Sequence, residues 1–234
     1  MARITRKELK TDKFALEVEH TVTFFDEHRR ELVRYGAAAI GVVLLIVGYG
    51  VYSRHQHAAR EAALVKAIQV QESPVGPPMP GSQNPNFPTQ DAKNQVALKV
   101  FTDLQNQYRG SEEAQIAEYY LGAIKADQGN LAEAEKSFKQ VADHGDSKYS
   151  SLAKFSLAQI YFAQGQDAQG ESTLRDVMAH PTIYVSKEQA AISLAHYLAT
   201  KKPAEARKLL EPLLSQPGTV GQEALKAHSD LPPQ

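Results

Sequence analysis

Hydrophobic and polar positions divide this chain into segments of different period. From Tyr35 to Ser53 the sequence YGAAAIGVVLLIVGYGVYS is uncharged and apolar, bracketed by Arg34 and Arg54. At 1.5 Å per residue the run covers roughly 28 Å, close to the ~30 Å hydrocarbon core of a bilayer. It has no polar face, as a buried helix of a soluble protein would. Tyr35, Tyr49 and Tyr52 sit near its ends, where an aromatic ring keeps its hydroxyl in water. The run predicts a membrane-spanning helix over 35–53. A charged segment precedes it and no small-residue cleavage site follows, so the run is expected to be an uncleaved single anchor rather than a signal peptide.

The flanks follow other patterns. In residues 1–34, Phe14, Val18, Val22, Phe25 and Leu32 stand near helical spacing, whereas Leu16, Val18, Val22 and Phe24 also fit a period of two. An amphipathic helix at the membrane and a solvated, partly helical lead-in both remain open there. Residues 54–72 are alanine-rich without Gly or Pro and predict a juxtamembrane helix. Residues 73–90 hold six of the twelve prolines and predict an extended linker.

From Asp91 onward the pattern is helical. Ile116, Tyr119, Tyr120, Ala123 and Ile124 recur at the i, i+3, i+4, i+7, i+8 spacing of one buried face. Gly129-Asn130 ends that helix, and Leu131, Ala134, Phe138 and Val141 begin another. The next hairpin copies this one thirty-six residues later: Leu121 maps to Leu157, Gly122 to Ala158, Gly129 to Gly165, Phe138 to Leu174 and Val141 to Val177. A fixed period of this length marks a helical solenoid, in which each hairpin buries its face on the next. A weaker third copy reads Leu194, Ala195, Leu198, Ala206, Leu210 and Leu213, with one residue lost at the Lys201–Pro203 turn. Upstream, Ala97, Phe101 and Leu104 look like the second helix of a pair whose first member is the 54–72 helix. The fold class expected is all-α: one transmembrane helix, then a short repeat domain over 91–217 and a C-terminal tail over 218–234.

Charge and composition narrow the function. The net charge is -1, and the first 34 residues contribute +1, leaving about -2 for the rest. No basic stripe is available for nucleic acid. Cysteine is absent, which removes disulfides, thiolate metal sites and cysteine catalysis. The eight histidines are scattered, and the close pair His55 and His57 points to different faces of a helix. No metal-protease, nucleophile-elbow or phosphate-loop motif occurs. The chain is therefore expected to be a non-enzyme that takes no cofactor, metal or small-molecule substrate. The short N-terminal segment is the richer in Lys and Arg, which favours a cytoplasmic N-terminus and an exported C-terminal domain.

Leu121, Gly122, Gly129, Ala134 and Phe138 resemble the tetratricopeptide repeat, with Lys125 in place of an aromatic. Leu157, Ala158, Tyr161 and Gly165 match it again, but Gly170 stands where Ala is usual. That resemblance implies protein binding along the side formed by the first helix of each pair, here Tyr119, Phe155, Gln159, Phe162, Gln189 and His196. The whole layout resembles the ancillary SecYEG translocon subunit family, inner-membrane proteins with a periplasmic repeat domain. It implies a scaffold or chaperone-like adaptor in export through the Sec translocon, with translocon components, periplasmic chaperones or exported clients as partners. A cell-envelope assembly or division scaffold is the alternative.

Overall fold

The computed structural model describes residues 29–77 and 86–232, in two compact units, Met1–Ala58 and Ala59–Gln234. The lead-in residues Phe14, Val18, Val22 and Phe25 lie outside the described residues. The described residues are all-α.

Helix α1, Arg29–Glu72, runs without a break through the predicted span and the alanine-rich segment after it. Gly36, Gly41, Gly48 and Gly50 would each weaken a helix in water by about 1 kcal/mol. A continuous helix satisfies every backbone group within one segment, as a chain segment in hydrocarbon requires. The large apolar side chains from Tyr35 to Tyr52 are 55% to 75% exposed. Such a continuous apolar surface calls for lipid or a partner.

In the second unit, helices follow as α2 Gln90–Gln107, α3 Glu112–Asp127, α4 Leu131–His144, α5 Ser147–Ala163, α6 Asp167–Ala179, α7 Lys187–Leu198, α8 Pro203–Leu210 and α9 Thr219–Ser229. A short 3₁₀ turn, Glu211–Leu213, precedes α9. Ser111, Asp146 and Ser186 cap α3, α5 and α7, each side chain accepting the backbone N–H three residues on. Each helix packs on the next along the chain, forming a stack of antiparallel hairpins. Ala67 and Val70 of α1 share one buried cluster with Ala97, Phe101 and Leu104 of α2 and Leu121 and Ile124 of α3. The end of α1 and α2 thus make the first hairpin of the stack.

The turns repeat bond for bond. Asn130 N–H donates to Lys125 O at 2.9 Å and Gly129 N–H to Ala126 O at 2.9 Å. Thirty-six residues on, Gln166 N–H donates to Tyr161 O at 2.8 Å and Gly165 N–H to Phe162 O at 3.1 Å. This closure places the glycine at positive φ, +80° and +74°, where a Cβ is strained. The third turn lacks a glycine: Lys202 N–H donates to Leu198 O at 2.8 Å, and Pro203 starts α8.

Two segments beside the hairpins make contacts of their own. The described ends of the 73–90 segment are fastened together by a parallel bridge between Val75 and Phe87. Gly76 N–H donates to Phe87 O at 2.9 Å, and Phe87 N–H donates to Pro74 O at 3.1 Å. Lys93 Nζ adds a bond to Gln71 O at 3.0 Å. Proline removes donors but keeps its carbonyl, and Phe87 supplies an apolar anchor against the first cluster. Among its described residues, the 218–234 segment carries a packed helix. Helix α9 buries Ala224 and Ala227 in the same core as Leu194, Leu198 and Leu210, and Leu231 joins them. Capping the last hairpin keeps its apolar face from water.

Candidate protein-binding face

The first helices of successive hairpins bring a row of tyrosines together. Tyr119 sits in the middle of α3, and its ring lies 5.8 Å from Tyr149 in the first turn of α5, edge to face. Tyr149 in turn meets Tyr184, in the connection between α6 and α7, at 5.4 Å and 82°. Tyr119 also leans on Tyr120 at 5.7 Å and on Phe138 of α4 at 5.6 Å. Tyr120 stacks on Phe101 of α2 at 4.9 Å. The row therefore bridges three hairpins, with one end in the core and the other exposed: Tyr184 is 40% and its neighbour Ile183 82% exposed. Edge-to-face pairs add about 0.5–1.5 kcal/mol beyond area burial and hold each ring in place.

Burial raises the Tyr149 phenol above its ordinary range, and the fields of Tyr120, Tyr184 and Asp146 add to it. Burial first, and then the Glu72 carboxylate, raises Tyr120 likewise. Both hydroxyls are thus neutral donors at any physiological pH. Rigid rings with a hydroxyl at the tip suit a protein surface, offering apolar area and a hydrogen bond at small entropic cost.

Of the six residues singled out by the repeat register, Tyr119 alone joins this row. Phe162 lies elsewhere, stacked on Tyr197 of α7 with centroids 3.5 Å apart, and Phe155 is half-buried against the same C-terminal cluster. Gln159, Gln189 and His196 are exposed on α5 and α7. Tyr149 and Tyr184 were not singled out. Tyr149 stands two turns before the Leu157 signature position and Tyr184 lies in a connection, so neither falls in the repeat register. Their closeness to Tyr119 follows from the packing of hairpins. Among the described residues no group of three or more His, Asp and Glu side chains is placed to hold a metal ion.

A family model described as a tetratricopeptide repeat-like domain matches residues 24–208. Two crystal structures of nearly identical TPR-like repeats from a Podosopora anserina kinesin light chain, one a point variant, are similar to this chain at 18% identity. Each covers 60% of this chain and 80% of its own, with a TM-score of 0.49. No curated protein matches.

Proposed function

Because the chain belongs to the tetratricopeptide repeat-like domain family, we propose that it is a membrane-tethered, non-enzymatic scaffold that holds protein partners beside the bacterial inner membrane. The observation that carries this reading is the union, in one chain, of an exposed apolar helix and a repeat stack bearing a tyrosine row. Helix α1 spans the bilayer once with the N-terminus in the cytoplasm, and the repeats work in the periplasm. Tethering converts binding by the repeats into a local, high-concentration event, which strengthens weak contacts without new ones. Tyr119, Tyr149 and Tyr184 provide the anchor, with Gln159, Gln189 and His196 on the flanking exposed faces. Phe155 and Phe162 pack on the C-terminal cluster and stiffen α5 and α7 there.

The process it serves is protein export through the Sec translocon, by resemblance of layout, with translocon subunits, periplasmic chaperones or exported clients as partners. Photo-crosslinking from Tyr184 in intact cells, read by mass spectrometry, tests this. Translocon or chaperone components should be recovered. Peptidoglycan-synthesis or outer-membrane-assembly proteins in their place would move the scaffold to envelope assembly or division. An export-dependent reporter fused after Gln234 should be active, and an inactive one would reverse the topology.

A further inference from the structure

Two glutamates are buried in the stack, and they are treated differently. Glu113 has the Arg60 guanidinium 3.3 Å away, so its charge is compensated within the fold. Glu118, 7% exposed, has no Lys, Arg or His nitrogen within 4.0 Å among the described residues. Its Oε2 accepts from the Gln105 amide, and Oε1 has no hydrogen bond from the described residues. A carboxylate in that position is stable only if solvent or a ligand completes it, because burying an uncompensated charge is costly.

The space beside it is a cavity of about 380 Å³ between α2, α3 and α4. That lies within the roughly 300–1,000 Å³ of ligand pockets. Glu118 lines it together with the amides of Gln105, Gln115 and Gln140. Gln140, Arg109 and His144 line it from exposed positions, and the Arg109 guanidinium is turned to Asn106 Oδ1 at 2.9 Å. The buried polar group of the lining is thus the Glu118 carboxylate, while the cationic groups stand at the mouth. The tyrosine row makes no part of the lining.

We propose that this cavity is a second docking point, which takes an arginine side chain of a partner protein. The inference rests on the scaffold reading for the nature of the partner. A guanidinium carries five donors in a planar fork, which the two oxygens of the Glu118 carboxylate match better than they match a point charge. Arg109 and His144 at the mouth face the carbonyl groups of the segment that carries the arginine. The pair formed in the cavity resembles the Arg60–Glu113 pair already present one turn earlier on α3.

The test uses the full chain in detergent micelles and N-acetyl-arginine N-methylamide as probe, with its neutral citrulline isostere beside it. Binding is read from side-chain amide NMR shifts of Gln105 and Gln140. The arginine probe should shift both, the citrulline probe should bind at least about tenfold more weakly, and Glu118→Gln should lose a similar factor. Equal shifts by the two probes on the unmodified chain would overturn the proposal, whatever the stability of the variant. Unchanged arginine binding by a folded E118Q variant would do the same. The probe reads the cavity and crosslinking reads the partners, so either idea can fail while the other stands.

Discussion

The two central hairpins, α3–α4 and α5–α6, share a turn and a register but invert their packing. In the first, the small residue is on the leading helix: a Cβ on Gly122 would lie 3.0 Å from the Phe138 ring and 3.1 Å from Ser137 Cβ. In the second, the leading helix carries the ring and the following helix the gap. A Cβ on Gly170 would lie 2.3 Å from Phe162. The positions that correspond to Gly122 and Phe138 hold Ala158 and Leu174 there, both buried. What these two hairpins share physically is one large side chain seated on one glycine. Which helix supplies which is free, because either order fills the interface.

This difference accounts for Gly170, the departure from the expected alanine. Phe162 is stacked between Tyr197 and the α6 backbone, and a methyl group at Gly170 has no room. The ring cannot swing away without giving up that stack. Lys201, which bonds both Tyr197 Oη and Asp167, further holds the far side.

The comparison is most sharply broken by removing a ring. Phe138→Ala should destabilise the repeat unit by about 3–5 kcal/mol, measured by urea denaturation, because a fully buried aromatic leaves a cavity against Gly122. A loss below about 1 kcal/mol would mean that the first hairpin does not depend on this pair. Filling the gaps should have smaller and unequal effects. Gly170→Ala should cost about 1–3 kcal/mol by overpacking, and Gly122→Ala less, since its neighbours need to give by only a few tenths of an ångström. Adding Phe162→Leu to Gly170→Ala should restore part of the loss, and no coupling in that double-mutant cycle would refute the seating of ring on glycine.

The smallest effect concerns the tyrosines that join the hairpins. A phenol whose pKa is raised on folding contributes stability that is present below the unfolded value, about 10, and is lost as pH rises above it. The melting temperature should be flat from pH 7 to 9 and fall above about pH 10, with Tyr149→Phe lessening the fall. Spectrophotometric titration of the folded chain should find Tyr149 among the last phenols to ionise. Early ionisation would mean that its hydroxyl is not held between Tyr184 and the α3 ring row.

Much of this fold could be read from residue spacing. The helix period around Ile116–Ile124, the glycines at 129 and 165, and the thirty-six-residue shift each follow from local rules, and each corresponds to a helix or turn. The tyrosine row was less legible. Tyr119 could be picked from its register, but Tyr149 and Tyr184 could not, because nothing local ties a first-turn residue of α5 to a connection thirty-five residues later. The fastening of Val75 to Phe87 was hidden for a similar reason: proline content reports what a segment cannot donate, not where its ends meet. Helix α9 escaped notice because its buried positions are Gly and Ala, which give a faint apolar pattern.

The sequence by itself determined the long apolar helix, the hairpin count along the central stack and the turns between them. These depend on interactions within a few residues, where backbone sterics and hydration leave few choices. Only the tertiary structure decided which ring sits on which glycine, which tyrosines form a row, and that Glu118 faces a cavity while Glu113 meets Arg60. Those outcomes depend on how separate segments fill shared space, and close packing is settled between helices rather than along them.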